Sequence, residues 1–270
     1  MPMDGEVNWT GEIHEEGELR FRLGRRGERL IAEWPGLCTL QADRDGNRSE
    51  LVPAPGADPV LIDKLHRGLA KALLRHLTGQ LTLHASAVAF DGIAIACVGE
   101  SHAGKSTAVA ELVAHHDGAL VADDTLALVF QEGHVGVLPT EQVSWLLPDA
   151  RLALGLTDVD LPIKIPVSPP RIAENEVCLA ALVILEFDDG IDAPVVRRLR
   201  GNEVLARLVP SVVRFVLDEP ERNRRELDQL LRLVDAVPTY ELARPRELEK
   251  LAATGHALRA LARRMDGGRS

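Results

Sequence analysis

Residues 93–107 read Ile93-Ala94-Ile95-Ala96-Cys97-Val98-Gly99-Glu100-Ser101-His102-Ala103-Gly104-Lys105-Ser106-Thr107. An apolar, β-prone run leads into Gly-x-x-x-x-Gly-Lys-Ser at 99–106, the full pattern of a phosphate-binding loop. A chain of this composition carries about 0.002 such matches by chance. The context agrees with the motif. Lys105–His116 reads as a helix with an apolar stripe at Ala108, Val109, Leu112 and Val113, so the loop joins a strand to a helix N-terminus. Gly99 and Gly104 let successive backbone N–H groups turn inward around phosphate oxygens, and the helix end adds partial positive charge. Lys105 offers a compact ammonium to the β- and γ-phosphates, and Ser106 a hydroxyl for Mg²⁺. Ser101, His102, Ala103 and Thr107 complete the candidate loop. His102 sits at a variable position whose side chain is expected to point outward. The bland alternative is a glycine-rich turn that binds nothing.

Upstream, Leu81–Phe90 is a second apolar strand, separated from Ile93–Val98 by Asp91-Gly92, a strong hairpin signal. A two-residue loop there pairs Phe90 with Ile93 and Ala85 with Val98. His84 then falls opposite Gly99, where an imidazole can meet a γ-phosphate or assist proton transfer. A half-buried histidine satisfied by backbone is the equally simple alternative. Downstream, Ala119–Ala122 reads as a strand that ends on Asp123-Asp124. If the helix joins it to Ile93–Val98 in a right-handed βαβ unit, the two strands run parallel. The loop and the aspartates then share the sheet edge where α/β proteins bind ligands. Paired carboxylates beside a triphosphate can hold Mg²⁺ and accept the proton of an attacking hydroxyl. A turn in which Asp124 only caps the next element is the alternative.

The rest of the chain is plainer. Its 270 residues hold 46% hydrophobic and 3% aromatic residues and a net charge of −10, which suits one large or two small domains with a true core. That acidity, with few stacking rings, argues against a nucleic-acid surface. No apolar run reaches membrane-spanning length. The acidic, polar start resembles neither a signal nor a transit peptide. Cys38, Cys97 and Cys178 are odd in number and far apart, forming no disulfide framework or metal spacing, which suits a reducing cytoplasm. Residues 1–57 read as short β pieces, among them Glu18–Leu23 and Arg29–Glu33. Val60–Leu77 reads as a helix, 131–178 as an irregular proline-rich stretch, and Leu179–Phe187 as a buried strand. Arg222–Val234 and Arg246–Met265 read as amphipathic helices around a short strand, Thr239–Leu242.

The stretch Leu83–Val129 resembles the catalytic core of HPr kinase/phosphorylase and its HPr-kinase-like relatives, a fold related to phosphoenolpyruvate carboxykinase. The matching residues are Leu83-His84-Ala85-Ser86-Ala87-Val88, Gly99–Thr107 and Leu120-Val121-Ala122-Asp123-Asp124. Lys105 and Asp123 stand 18 positions apart, a shorter spacing than in most other Walker-type NTPases. Pro139…Leu147-Pro148-Asp149 and Val237–Leu242 resemble the smaller relatives more faintly. The resemblance implies an α/β, HPr-kinase-like P-loop core with a mixed sheet over 58–265. A β-rich region precedes it at 1–57, and a tail follows at 266–270.

The activity implied is transfer of the γ-phosphoryl group of ATP, with Mg²⁺, to a serine hydroxyl of a protein or peptide, a precursor peptide among the candidates. Asp124 would be the general base, Asp123 would act on Mg²⁺ and His84 would lie near the transferred group. A homo-oligomer is compatible with the resemblance. Lys164 and Arg171 are the candidates for a further positive charge on the γ-phosphate. The competing reading is a nucleotide-binding regulator or NTPase switch with no phosphoacceptor. Phosphoenolpyruvate carboxykinase itself needs a second lobe for which this chain is too short.

Overall fold

The computed structural model describes residues 6–156, 163–215 and 220–267. The chain is a mixed α/β protein that divides into two compact units. The first comprises residues 1–80 with 214–226, and the second residues 81–213 with 227–270. Among the described residues no helix is long and apolar enough to cross a membrane.

The first unit holds an antiparallel sheet in sequence order: β1 (Asn8–Glu15), β2 (Glu18–Arg26), β3 (Arg29–Trp34), β4 (Cys38–Ala42) and β5 (Ser49–Pro53). Alternation along β2–β4 puts Leu23, Leu30, Ala32, Trp34 and Leu40 in one core with Leu65, Ala70, Leu73 and Leu77. Those last four come from the helical stretch expected after residue 60. It consists of α1 (Pro59–Leu65) and α2 (Lys71–Leu77), joined by a wide π-type turn, His66–Ala70. Asp58 caps α1 by accepting the Val60 N–H at 2.8 Å.

The second unit is built on a mixed sheet. β6 (Thr82–Phe90) and β7 (Ile93–Val98) form the expected hairpin in the expected register, Phe90 opposite Ile93 and Ala85 opposite Val98. Asp91 and Gly92 both take positive φ, 47° and 90°, as the tight turn demands. The Gly99–Ser106 loop leads from β7 into α3 (Lys105–His115).

β8 (Ala119–Ala122) follows, but it does not lie beside β7. Both strands pair antiparallel with β6, so they run in the same direction with β6 between them. β6 is shared along its length: its C-terminal part meets β7 and β8, and its first residues meet β9 (Thr125–Gln131). Beyond β7 the sheet is parallel, through β13 (Val177–Phe187) to β15 (Thr239–Arg244). β14 (Val195–Arg198) closes that edge antiparallel. The C-terminal ends of β7, β8, β13 and β15 therefore face one way.

The stretch 131–178 is more regular than its prolines suggest. It contains β10 (His134–Leu138), β11 (Ser144–Leu146), α4 (Pro148–Ala153) and β12 (Ile165–Val167). β10 pairs with both β9 and β13, so five strands close on themselves. Strand alternation splits the core. Ile95, Cys97, Ala181, Val183 and Leu242 pack with α3 and with Leu258 and Leu261 of α7 (Leu251–Gly267). On the opposite face, Ala94, Ala96, Val98, Leu182 and Ile184 pack with Val204 and Leu208 of α5 (Asn202–Leu208), and with Leu230 and Leu233 of α6 (Pro220–Ala236).

Candidate active site

The loop takes its shape from its own backbone. Gly99 has φ 150°, and a Cβ there would stand 3.0 Å from the Leu185 carbonyl oxygen. Gly104 is left-handed at φ 74° and ends the loop as the residue before α3; a Cβ there would collide with the Arg244 guanidinium. Between them His102 also takes a positive φ, 64°. Lys105 is buried at the start of α3, and its Nζ donates to the carbonyls of Gly99 at 3.0 Å and Glu100 at 2.9 Å. Burial holds its pKa below the ordinary lysine value.

Across from the loop stands the turn Asp123-Asp124-Thr125, placed by the end of β8. Its backbone is held from several directions. The Glu141 carboxylate accepts the Asp123 N–H at 3.1 Å, the Thr125 N–H at 3.2 Å and the Thr125 hydroxyl at 2.6 Å. The Thr140 hydroxyl also donates to Glu141. The Ser86 hydroxyl donates to the Asp123 carbonyl. His84 Nδ1 lies 3.0 Å from the Asp124 carbonyl oxygen; a carbonyl only accepts, so Nδ1 carries the proton. Burial and the nearby Lys105 charge push the His84 pKa down, so the neutral ring leaves Nε2 as its acceptor.

Asp123 is almost fully buried. Its Oδ2 accepts the Trp145 N–H at 2.9 Å, while Oδ1 is buried with no hydrogen-bond partner among the described residues. Burial pushes its pKa up to about 7, against the pull of the Trp145 N–H and the facing Ser106 hydroxyl. Glu141, buried as well, is also raised by desolvation. Among the described residues no group of three or more His, Cys, Asp or Glu converges to hold a metal. Asp123 Oδ1 with the Ser106 hydroxyl is nonetheless a fitting pair of oxygens for a hard cation whose remaining ligands come from a bound phosphate.

The cleft between these walls has a volume of about 320 Å³. His84, Lys105, Ser106, Thr107, Asp124 and Lys164 line it, as do Ser101, His102 and Gly104 of the loop. Asp123 sits behind Asp124, and Gly99 and Ala103 lie in the loop's frame. Arg171 is elsewhere: it is not among the lining residues, and its guanidinium donates to Asp117 at 2.6 Å on the surface.

Two groups escaped the sequence reading. Glu141 is one. The other is the pair Arg244 and Arg246 at the end of β15, which stack on Phe187 at 4.4 and 4.3 Å and line the same cleft. Buried Arg244 also donates to the Ala103 carbonyl at 2.7 Å, bracing the loop from below. The signal for the arginines was Arg-Pro-Arg closing a strand, but only the parallel pairing of β13 with β15 brings that end to the loop. Glu141 had no such signal: it stands between Thr140 and Gln142 in what reads as an ordinary polar loop.

No model of a known protein family matches the chain, and no curated protein matches it. Among solved structures it has a loose likeness to the Hpr(Ser) kinase/phosphatase from Coxiella burnetii. That likeness is 14% identity and a TM-score of 0.37, over 68% of this chain and 98% of that one. At that distance it says nothing of activity.

Proposed function

We propose that the chain is an ATP-dependent phosphotransferase that moves the γ-phosphoryl group to a serine hydroxyl of a protein or peptide. One observation carries this reading. The loop with Lys105, the end of β8 with Asp124, and His84 on β6 line a single cleft, although they come from three separate elements. The resemblance of Leu83–Val129 to HPr-kinase-like proteins supports the choice of serine as acceptor. The second unit would be the catalytic one.

In this reading the loop N–H groups and the start of α3 receive the β- and γ-phosphates. The Lys105 ammonium, held on the carbonyls of Gly99 and Glu100, exchanges them for phosphate oxygens. Lys164, on the same cleft, adds charge beside the γ-phosphate. Ser106 and Asp123 Oδ1 are the groups that would hold Mg²⁺, which when bound neutralises charge on the phosphates. The acceptor serine Oγ forms a bond to the γ-phosphorus as the bond to the β–γ bridging oxygen breaks, and ADP leaves. The serine proton passes to the Asp124 carboxylate. His84 is a positioning residue: its Nδ1–H holds the Asp124 carbonyl and so the turn that presents the base. Glu141 is a positioning residue that fixes the turn presenting Asp124.

The test is to incubate the purified chain with γ-labelled ATP, Mg²⁺ and a pool of serine-bearing peptides, with serine-to-alanine peptides as control. Label on serine is the expected result. Label released only as inorganic phosphate, with no peptide labelled, contradicts a kinase and leaves the NTPase switch.

A further inference from the structure

The cleft does not end at the loop. Asp149 and Leu248 line it and also line a second, larger cavity of about 760 Å³. The connection runs along α3. Thr107, Glu111 and His115 are four residues apart and stack on one helix face. Thr107 lines the cleft, and Glu111 and His115 line the second cavity. From Thr107 to His115 the helix rises about 12 Å, the length scale of a nucleoside. A triphosphate whose β- and γ-groups lie on the loop can bring its α-phosphate to Thr107, in the first turn of α3. Whatever is attached to that phosphate then follows the same face.

The larger cavity has the chemistry for such a group. Leu152 and Leu251 give it apolar walls suited to a flat ring. The Glu111 carboxylate is buried, 3.6 Å from His116 Nε2 and 3.8 Å from His115 Nε2, and still borders the cavity as an acceptor for N–H groups. Asp149, at the seam, is placed to accept from ribose hydroxyls. Gly255 keeps α7 close: a Cβ there would stand 2.7 Å from His116 Nε2 and 2.8 Å from Glu111 Cγ. A glycine inside a helix is less favourable than alanine, and here it serves this approach.

We infer that the cavity bounded by Glu111, His116, Leu152 and Leu251 is the subsite for the nucleoside of the triphosphate. The inference rests on the phosphate-loop reading above. Its test compares ATP with inorganic tripolyphosphate, which has the phosphates but no nucleoside, on the full chain by calorimetry. Ala252→Trp and Ala153→Trp place bulk in the cavity from two exposed positions on different helices, outside the core.

The wild type should bind ATP at least about tenfold tighter than tripolyphosphate. Each filled variant should lose about tenfold or more in ATP affinity and keep tripolyphosphate within about twofold. Variants that bind ATP like the wild type, or lose both ligands alike, overturn the subsite. A wild type that binds both ligands equally overturns it too, leaving the loop reading intact. A wild type that binds neither overturns the loop reading itself.

Discussion

The two walls of the cleft are built by different means. The loop wall is mostly local: Lys105 bonds to carbonyls five and six positions away, two glycines and a helix end shape the turn, and Arg244 reaches in from afar to brace the Ala103 carbonyl. The carboxylate wall is assembled from a distance. Asp123–Thr125 is tied to Ser86 and His84, 37 and 40 residues away, and to Glu141 and Trp145, up to 22 residues away. The difference separates ligand chemistry from architecture. Changing the loop lysine should alter what binds and little else. Changing a prop of the carboxylate wall should disturb the fold around the dyad.

That contrast can be broken in graded steps. Asp124→Asn should lower phosphoryl transfer about 1,000-fold, within the range for loss of a general base. ATP affinity should stay near wild type, and a parallel fall in affinity would assign Asp124 to binding. Glu141→Ala leaves two buried N–H groups and two hydroxyls without their acceptor, and should cost about 3 kcal/mol in urea unfolding. A cost under about 0.5 kcal/mol would mean the turn holds itself. Lys105→Ala should weaken ATP binding by about 2 kcal/mol, roughly 30-fold, with the urea midpoint close to wild type.

The smallest effect concerns pH. The Asp123 carboxyl, pushed up to about 7, keeps in the folded chain a proton that the unfolded chain releases near pH 4. Its contribution to stability is full below pH ~4 and is lost as pH rises through about 7. In EDTA, wild type should therefore lose stability relative to Asp123→Asn between pH 4.5 and 7.5, by about 1 kcal/mol or more. Parallel curves would deny the shift.

What could be read from the sequence follows the same division. The β6–β7 hairpin, its register, the loop and α3 are specified by neighbours: a tight turn, alternating apolar residues and glycines where φ is positive. Residues 131–178 are hard to read because β10, β11, α4 and β12 are three to six residues long, too short for a periodic pattern, and β11 with β12, like β10 with β13, pair across about 20 to 40 residues of chain. Glu141 lies in that stretch, and no local pattern marks an acceptor whose donors are on β8 and β9. Ile93–Val98 and Ala119–Ala122 run in the same direction, as their βαβ connection implies, without being neighbours. β6 inserts between them, yet their shared direction still delivers both ends to one edge. Lys164 reached the cleft and Arg171 did not, a distinction that depended on where 163–171 runs.

The central claim is that the carboxylate wall faces a triphosphate seated on the loop wall. Its most direct test is the Mg²⁺-dependence of ATP affinity, measured by calorimetry with and without EDTA. Wild type should bind ATP about tenfold tighter with Mg²⁺. In Asp123→Asn that tightening should vanish, while metal-free affinity stays unchanged. Equal tightening in both proteins would contradict the account.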